Sequence, residues 1–426
     1  LGIGTLRKPA IAFAAVLCLY GLKQWGQNSS TLFAQDRTVM NFAVAVLVIT
    51  GLLLSWRRTL DRRTIPAAWW CGLLVYTYAF ASLLWGPNLQ DALDQWSLQV
   101  PYILMIAIVA PLLVKDVEEV HLVTGWTLWI GGIICLLALA FGTWGLRGLR
   151  VIGDFMRSET NPLAIASLGG TVFVIGMLSV MTPVSWFRKV ICVVLALVGL
   201  AVILRSGSRG QLLAAVIAVV MGMPMAAKKR NFGAWLTMLI LIAVFAKAGF
   251  WIWDQLDVDS ARWSAKSSTA DLEGRLGMAA TLLAAAARNP LTMLFGLGNS
   301  SAFHYVGFYP HVALLEVLGE EGVAGFLLYT AILLLTIRNA FSLDKKMRSM
   351  EDMDASRAVA TLTALFVFEL ILTFKQGSLL SSVYVVAYAA IMDCLHKQSG
   401  KQVSVEQPST HAITSMPVLH VPNLMR

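Results

Sequence analysis

The sequence predicts an all-α polytopic membrane protein of about twelve spans, and three observations carry that prediction. Hydrophobic residues fill 58% of the 426 positions and charged residues only 13%, too little charge to wet the surface of a soluble protein of this size. The apolar residues come in blocks of the length a bilayer demands, roughly 20 residues at about 1.5 Å of rise each. None of the blocks has the alternating pattern of ~10-residue strands expected of a membrane β-barrel.

The spans are expected near 9–25, 38–56, 66–85, 98–114, 120–143, 161–181, 189–204, 210–227, 233–252, 312–337, 357–375 and 378–395. The first block, Pro9 to Trp25, has no convincing small-residue cleavage site and reads as a span, not a cleavable signal peptide. Residues 1–398 are expected to form one transmembrane domain with a single long loop at about 253–311. Ser399 to Arg426 is polar, Pro-containing and without periodicity, which predicts a disordered tail.

The loop charges orient this chain. Even-side segments, including Arg57-Arg58, Arg62-Arg63 and Lys228-Lys229-Arg230, carry 17 basic residues before the tail is counted, and the odd-side short loops carry 8. Both termini are therefore expected on the cytoplasmic side. The same rule accounts for the net charge of +9 without any nucleic-acid partner. Cys18, Cys71, Cys135, Cys192 and Cys394 all fall in apolar runs without CxxC or CxxH spacing and read as packing residues. The six His are scattered, and no metal-ligand motif or cofactor site is expected.

The outward side is the informative one, because it keeps arginines that the charge rule would rather exclude. They form three clusters: Arg147, Arg150 and Arg157; Arg205 and Arg209; and Arg262, Arg275 and Arg288. The guanidinium fork matches phosphate oxygens, whether of a substrate or of lipid headgroups. Arg205-Ser-Gly-Ser-Arg209-Gly210 is a tight link whose small residues let backbone N–H groups approach an anion at the start of the next helix. Its bland alternative is a polar hairpin turn. In the long loop, Gly274-Arg275 precedes an Ala-rich stretch, MAATLLAAAARNP, which predicts a helix lying along or dipping into the membrane. Arg275 at a helix start would oppose the macrodipole, which points to some other partner for it. Gly296-Leu-Gly298-Asn299 follows as a turn that could help position a diphosphate.

His311 stands at the outer end of span ten, where an imidazole could take a proton from a hydroxyl as a general base. A lone His at a helix start is more often structural. Eleven residues separate it from Gly322, about three helical turns, so the two are expected on one face, with Gly322 and Gly325 allowing close packing. Glu316, Glu320 and Glu321 are candidates of second rank, since acids beside an apolar span face a cavity or a base. His304, expected in a loop without a helix to fix it, ranks below His311.

These motifs together resemble the O-antigen ligase/polymerase superfamily of bacterial membrane glycosyltransferases. The matching pieces are Ser208-Arg209-Gly210, Arg275 at a helix head, Pro290 with Gly296-x-Gly298, and His311 with Gly322 and Gly325, over roughly residues 190–340. Val312 departs from the pattern, where a small polar residue such as Asn commonly follows the His. The resemblance implies a GT-C-like architecture in the bacterial inner membrane with a periplasmic active site. It implies an O-antigen ligase that transfers glycan from undecaprenyl diphosphate to the lipid A–core oligosaccharide, inverting and metal-independent. In it His311 would be the base, Arg209 and Arg275 would stabilise the diphosphate, and Arg205, Arg147, Arg150, Arg288, Gly298 and Asn299 would bind substrate. One large outward loop rather than two favours ligase over polymerase. The expected partners are the lipid-linked donor, the lipid A–core acceptor and membrane lipids, and the expected state is a monomer. A flippase-type transporter is the rival class; it predicts functional charges at mid-span and inverted repeats, and Lys247 in span nine is explained by snorkelling.

Overall fold

The computed structural model describes residues 2–36, 38–55, 65–145, 148–152, 160–181, 185–227, 265–375 and 377–405, with isolated positions 236, 240, 243 and 247. Among these residues the chain is helical, apart from one isolated bridge between Trp144 and Leu149. The helices are α1 (Gly2–Arg7), α2 (Ile11–Ser29), α3 (Thr31–Gln35), α4 (Val39–Leu54), α5 (Ala67–Ser82), α6 (Leu89–Tyr102), α7 (Val117–Phe141), α8 (Pro162–Ser179) and α9 (Trp186–Arg205). They continue as α10 (Arg209–Ala226), α11 (Ala265–Ala286), α12 (Pro290–Phe295), α13 (Ala302–Val306), α14 (Ala313–Glu320), α15 (Gly322–Ser349), α16 (Met353–Thr373) and α17 (Val383–Val405).

Local chemistry sets many of the boundaries. Asp116 starts α7 by accepting the Glu119 N–H at 2.9 Å, and Asp352 starts α16 by accepting that of Ala355 at 2.9 Å. Asn161 caps α8 through the Leu163 N–H at 3.0 Å, with Pro162 at the first helical position, where a missing N–H costs nothing. Pro101 lies inside α6, and the helix beyond it loosens into a π turn over Ile103–Val109.

Among the described residues, eight helical segments are long and apolar enough to cross a membrane: Ala67–Trp85, Leu89–Leu113, Val117–Phe141, Pro162–Ser179, Trp186–Arg205, Arg209–Ala226, Gly322–Ser349 and Met353–Thr373. Their outward faces carry exposed Phe80, Trp129, Ile133, Leu213, Leu327, Leu334 and Phe341, a perimeter that suits lipid as the solvent. The chain is a polytopic, membrane-embedded helical protein.

The expected spans differ from this in four places. Span two is Val39–Leu54, a helix of 16 residues. Span one falls in α2, whose second half (Lys23-Gln24-Trp25-Gly26-Gln27-Asn28) is polar and buried at Gln24, Gln27 and Asn28. Span twelve falls in α17, with a polar second half. Span nine, the loop segment up to residue 264 with Arg262, and the tail from 406 lie outside the described residues, save the four isolated positions. Span ten, expected as one helix over 312–337, is broken: α14 ends at Glu320, and Gly322 opens α15 at φ +65°.

Glycine permits the closest crossings. A Cβ on Gly199 would lie 2.5 Å from the Gly169 carbonyl oxygen, so α8 and α9 touch backbone to backbone, and the Phe368 ring covers Gly170. At the end of the bundle holding the N-terminus of α5, Asp393 accepts the Ala68 N–H at 2.9 Å and the Asn339 amide at 3.0 Å, tying α5, α15 and α17. At the other end α11, α12, α13 and α14 form a small cap. Its own apolar cluster, Leu282, Ala285, Ala286, Leu297 and Ala302, is separate from the main core.

Gly199→Ala is expected to lower the melting temperature of the detergent-solubilised protein, by overpacking of about 1–3 kcal/mol. Gly125→Ala, where nothing lies within 4 Å of the added methyl, should leave it level or raise it by helix propensity.

Candidate functional site

The cap meets the bundle where the sequence motifs converge. The turn between α9 and α10 is shaped by Gly207 at φ +63°, whose N–H donates to the Leu204 carbonyl. Ser208 stands at the N-cap of α10 but makes no capping bond, and its buried Oγ has no protein partner. Gly210 follows because the Lys375 side chain runs across it: a Cβ there would lie 1.9 Å from Lys375 Cδ and 2.5 Å from Nζ. Lys375, at the end of α16, therefore sits with its ammonium against the first turn of α10.

Arg275 reaches the same segment from the cap, its guanidinium donating to the Lys375 carbonyl. The sequence reading placed Arg275 at a helix head, and the structure corrects this: α11 begins at Ala265, ten residues earlier, so no macrodipole opposes the guanidinium. Arg275 lies on the packed face of α11, in register with buried Ala279, Leu282 and Ala286 at helical spacing. That face directs it toward the bundle. Arg288 is exposed beyond the end of α11, roughly 17 Å or more along the axis from Arg275, and is not brought into the cluster.

His311 precedes α14 in the left-handed region, at φ +60°. A non-glycine residue held there costs on the order of 1–3 kcal/mol, which the surrounding packing must supply. That packing is aromatic: the Tyr309 ring centroid is 4.3 Å from the imidazole and that of Phe308 is 5.1 Å away. Val312 occupies the N-cap of α14 and offers no capping side chain, which gives structural meaning to the departure from Asn. The expectation that His311 and Gly322 share one helix face fails, because the break at Glu321 separates them. Gly322 instead lets the α12 end dock, since a Cβ there would be 2.4 Å from the Gly296 nitrogen; Gly325 packs beside Tyr78. His304, expected in a loop, is on the short helix α13, exposed and edge-on to Tyr305.

Gly298 and Asn299 serve the cap. The Gly296 and Gly298 φ values of +83° and +92° let Leu297 and Gly298 donate to the Gly319 and Glu320 carbonyls. Asn299 is 1% exposed: its amide donates to Glu321 at 2.9 Å and its oxygen accepts from Trp96 at 2.8 Å. Glu320 accepts the N–H groups of Ser300 and Ala302, each at 2.8 Å. Glu316 accepts the Leu379 N–H at 3.2 Å through one oxygen, while its other oxygen has no protein partner. Burial pushes Glu320 up to about 8 and Glu321 up to about 7, although their hydrogen-bond donors pull the other way. Burial, then the neighbouring Glu320 charge, raises Glu316 well above the carboxylate range.

Two cavities adjoin this constellation. One, of about 600 Å³, sinks between α2, α8, α16 and the start of α17; the other, of about 130 Å³, holds Glu316, Glu320, Asn299, Gln95 and Gln99 in its wall. Tyr309 and Ser381 line both. Burial and Glu316 raise the Tyr309 hydroxyl above its usual value and Arg275 opposes them, so the tyrosine stands within electrostatic reach of both.

Arg205 and Arg150 lie on the flank of the same end. The Arg205 guanidinium sits 5.5 Å from the Trp144 ring, and the hairpin bearing Trp144 closes where Arg150 N–H meets the Thr143 carbonyl at 2.8 Å. Asn28 pins it, donating to the Arg150 carbonyl at 2.8 Å. The Arg150 side chain is exposed, and Arg147 and Arg157 lie outside the described residues. Sequence reasoning singled out none of Lys375, Tyr309 and Glu369. For Glu369 a signal existed, an acid inside the apolar run Leu365-Phe-Val-Phe-Glu-Leu-Ile.

No protein-family model matches this chain, and no curated protein matches it.

Carboxyls with raised values leave the folded state binding more protons than the unfolded state between about pH 5 and pH 8, so stability falls as pH rises through that window. The melting temperature in detergent should drop over this range, and Glu316→Gln should reduce the drop. A pH-independent melting temperature in the wild type would contradict protonated carboxyls in the cap.

Proposed function

We propose that this protein is a membrane glycosyltransferase of the O-antigen ligase type, with about twelve spans, cytoplasmic termini and the cap on the periplasmic side of the inner membrane. The observation that carries the reading is the meeting of two distant motifs on one segment, with the third nearby. Gly210 of the Ser-Arg-Gly turn and Arg275 both contact Lys375, and Tyr309 links Arg275 to His311.

That grouping suits displacement at a carbon bearing a diphosphate. The acceptor hydroxyl attacks the anomeric carbon of the donor glycan while the bond from that carbon to the diphosphate oxygen breaks, its electron pair leaving with undecaprenyl diphosphate. The leaving group needs no acid but gains charge as it departs. Arg275 and Lys375, with Arg209 opening α10, supply cations where that charge develops, and the uncapped first turn of α10 adds N–H groups. His311 takes the hydroxyl proton, its imidazole steadied against the stacked Tyr309 and Phe308 rings. Attack opposite the leaving group inverts the anomeric configuration in one step.

Three cations and a helix N-terminus meet the electrostatic demand, so the reading assigns no metal ion. Excess EDTA is accordingly expected to leave transfer by the purified enzyme unchanged, and a marked loss would count against this mechanism.

In transfer from lipid-linked donor to rough lipopolysaccharide, His311→Ala and Arg275→Ala are each expected to lose about 100-fold or more, the scale of a general base or an electrostatic donor. Arg288→Ala, remote from the cluster, should stay close to wild type. Full activity of a folded His311→Ala variant would remove the base assignment. Absence of transfer by the wild type would point instead to a polymerase or a lipid-linked glycan transporter.

A further inference from the structure

The transfer chemistry above makes no use of the 600 Å³ cavity beyond its Tyr309 wall. Its chemistry is nevertheless distinctive. Thirteen of its seventeen lining residues carry a hydroxyl, amide, ammonium or carboxyl group, which argues against a polyprenyl chain as occupant. Lys23 and Glu369 are opposite in charge, so the lining has no net charge with which to hold a diphosphate.

Several lining groups are already committed to the fold. Gln24 donates to the Asn161 carbonyl and accepts the Ile165 N–H at 2.8 Å; Tyr384 donates to the Val16 carbonyl at 3.0 Å. Tyr20, Gln27, Ser167 and Glu369 differ. Their side chains line the cavity and make no hydrogen bond to another described residue. They come from three helices, α2, α8 and α16, so their meeting is a product of the packing. A carboxyl on an apolar helix without a protein partner is costly unless a polar ligand or water meets it. The Tyr20 ring, stacked on Tyr102 at 5.4 Å and 6.2 Å from Tyr384, provides an apolar face beside these polar groups.

We infer that this cavity binds uncharged sugar residues adjoining the glycosidic bond being made. Glu369 accepts from ring hydroxyls, Gln27, Ser167 and Tyr20 both donate and accept, and the tyrosine face packs on a C–H face of the ring. Tyr309 joins the cavity to His311, so a sugar held there lies beside the candidate base. The assignment rests on the glycan-transfer reading, and the sugars have two possible sources, the donor glycan or the acceptor core.

The test uses the full chain in lipid nanodiscs and two lipid-free probes: O-antigen polysaccharide released by mild acid, and core oligosaccharide freed of lipid A. Binding of one probe is expected, and which one binds identifies the source. Glu369→Leu and Ser167→Phe should each weaken it about tenfold or more, as loss of a hydrogen bond to a charged group does, and Glu369→Gln should weaken it less. All three should bind undecaprenyl diphosphate as the wild type does, which also reports that they fold, whereas Arg275→Ala should lose that lipid and keep the sugar. A wild type that transfers glycan yet binds neither probe, or a folded Glu369→Leu with undiminished binding and transfer, overturns the sugar site. Sugar binding without any transfer overturns the ligase reading and leaves the cavity assignment standing.

Discussion

The structure at the cap end depends on one buried polar junction, the meeting of Glu320 and Glu321 with Asn299. The backbone breaks there between α14 and α15, and each group freed by the break finds a partner from a different part of the chain. Glu320 holds the start of α13, Asn299 holds Glu321 and receives Trp96, and the Asn299 N–H donates to Ser82 at 2.8 Å. A network that draws its members from several parts of the chain favours one arrangement, and removing a member leaves polar groups buried without partners. α14, and with it His311, is oriented by this junction.

The break also explains why a cationic cluster can stand beside apolar helices. A continuous helix from residue 312 would carry Glu316 and Glu320 into the span. Ending α14 at Glu320 keeps both acids in the cap, in the wall of the smaller cavity, where burial favours their uncharged form. The glycines at 296, 298 and 322 are the positions at which this is paid for sterically: each has positive φ and each lies against backbone where no Cβ fits. Conformational freedom at three points thus permits the close backbone packing of the cap.

The flanking cavities show a division of labour by charge. Cations gather where α10, α11 and the end of α16 meet, while amides, hydroxyls and one ammonium offset by one carboxyl line the deeper space between α2, α8 and α16. A diphosphate and a neutral sugar make opposite demands on a binding surface, and the two environments lie side by side with Tyr309 at their boundary.

Much of this was legible in the sequence, because hydropathy, capping residues and glycine placement act locally. Block length and the scarcity of charge determined the membrane class, Arg209 and His311 stood out as polar residues at span ends, and Arg275 stood out in the long loop. What the tertiary structure alone decided is how those residues are used. Arg275 is mid-helix and reaches across 100 residues to Lys375, so neither its partner nor the importance of Lys375 could be read from its neighbours. Gly298 and Asn299 look like a substrate turn until Glu320 and Glu321 fold onto them. Span one was expected to end near residue 25, yet α2 runs on to Ser29, and its polar half is buried against α8 and the hairpin, where it finds hydrogen bonds that a hydropathy average does not register. Periodicity fixes a residue's place on its own helix; only packing determines which distant group meets it there.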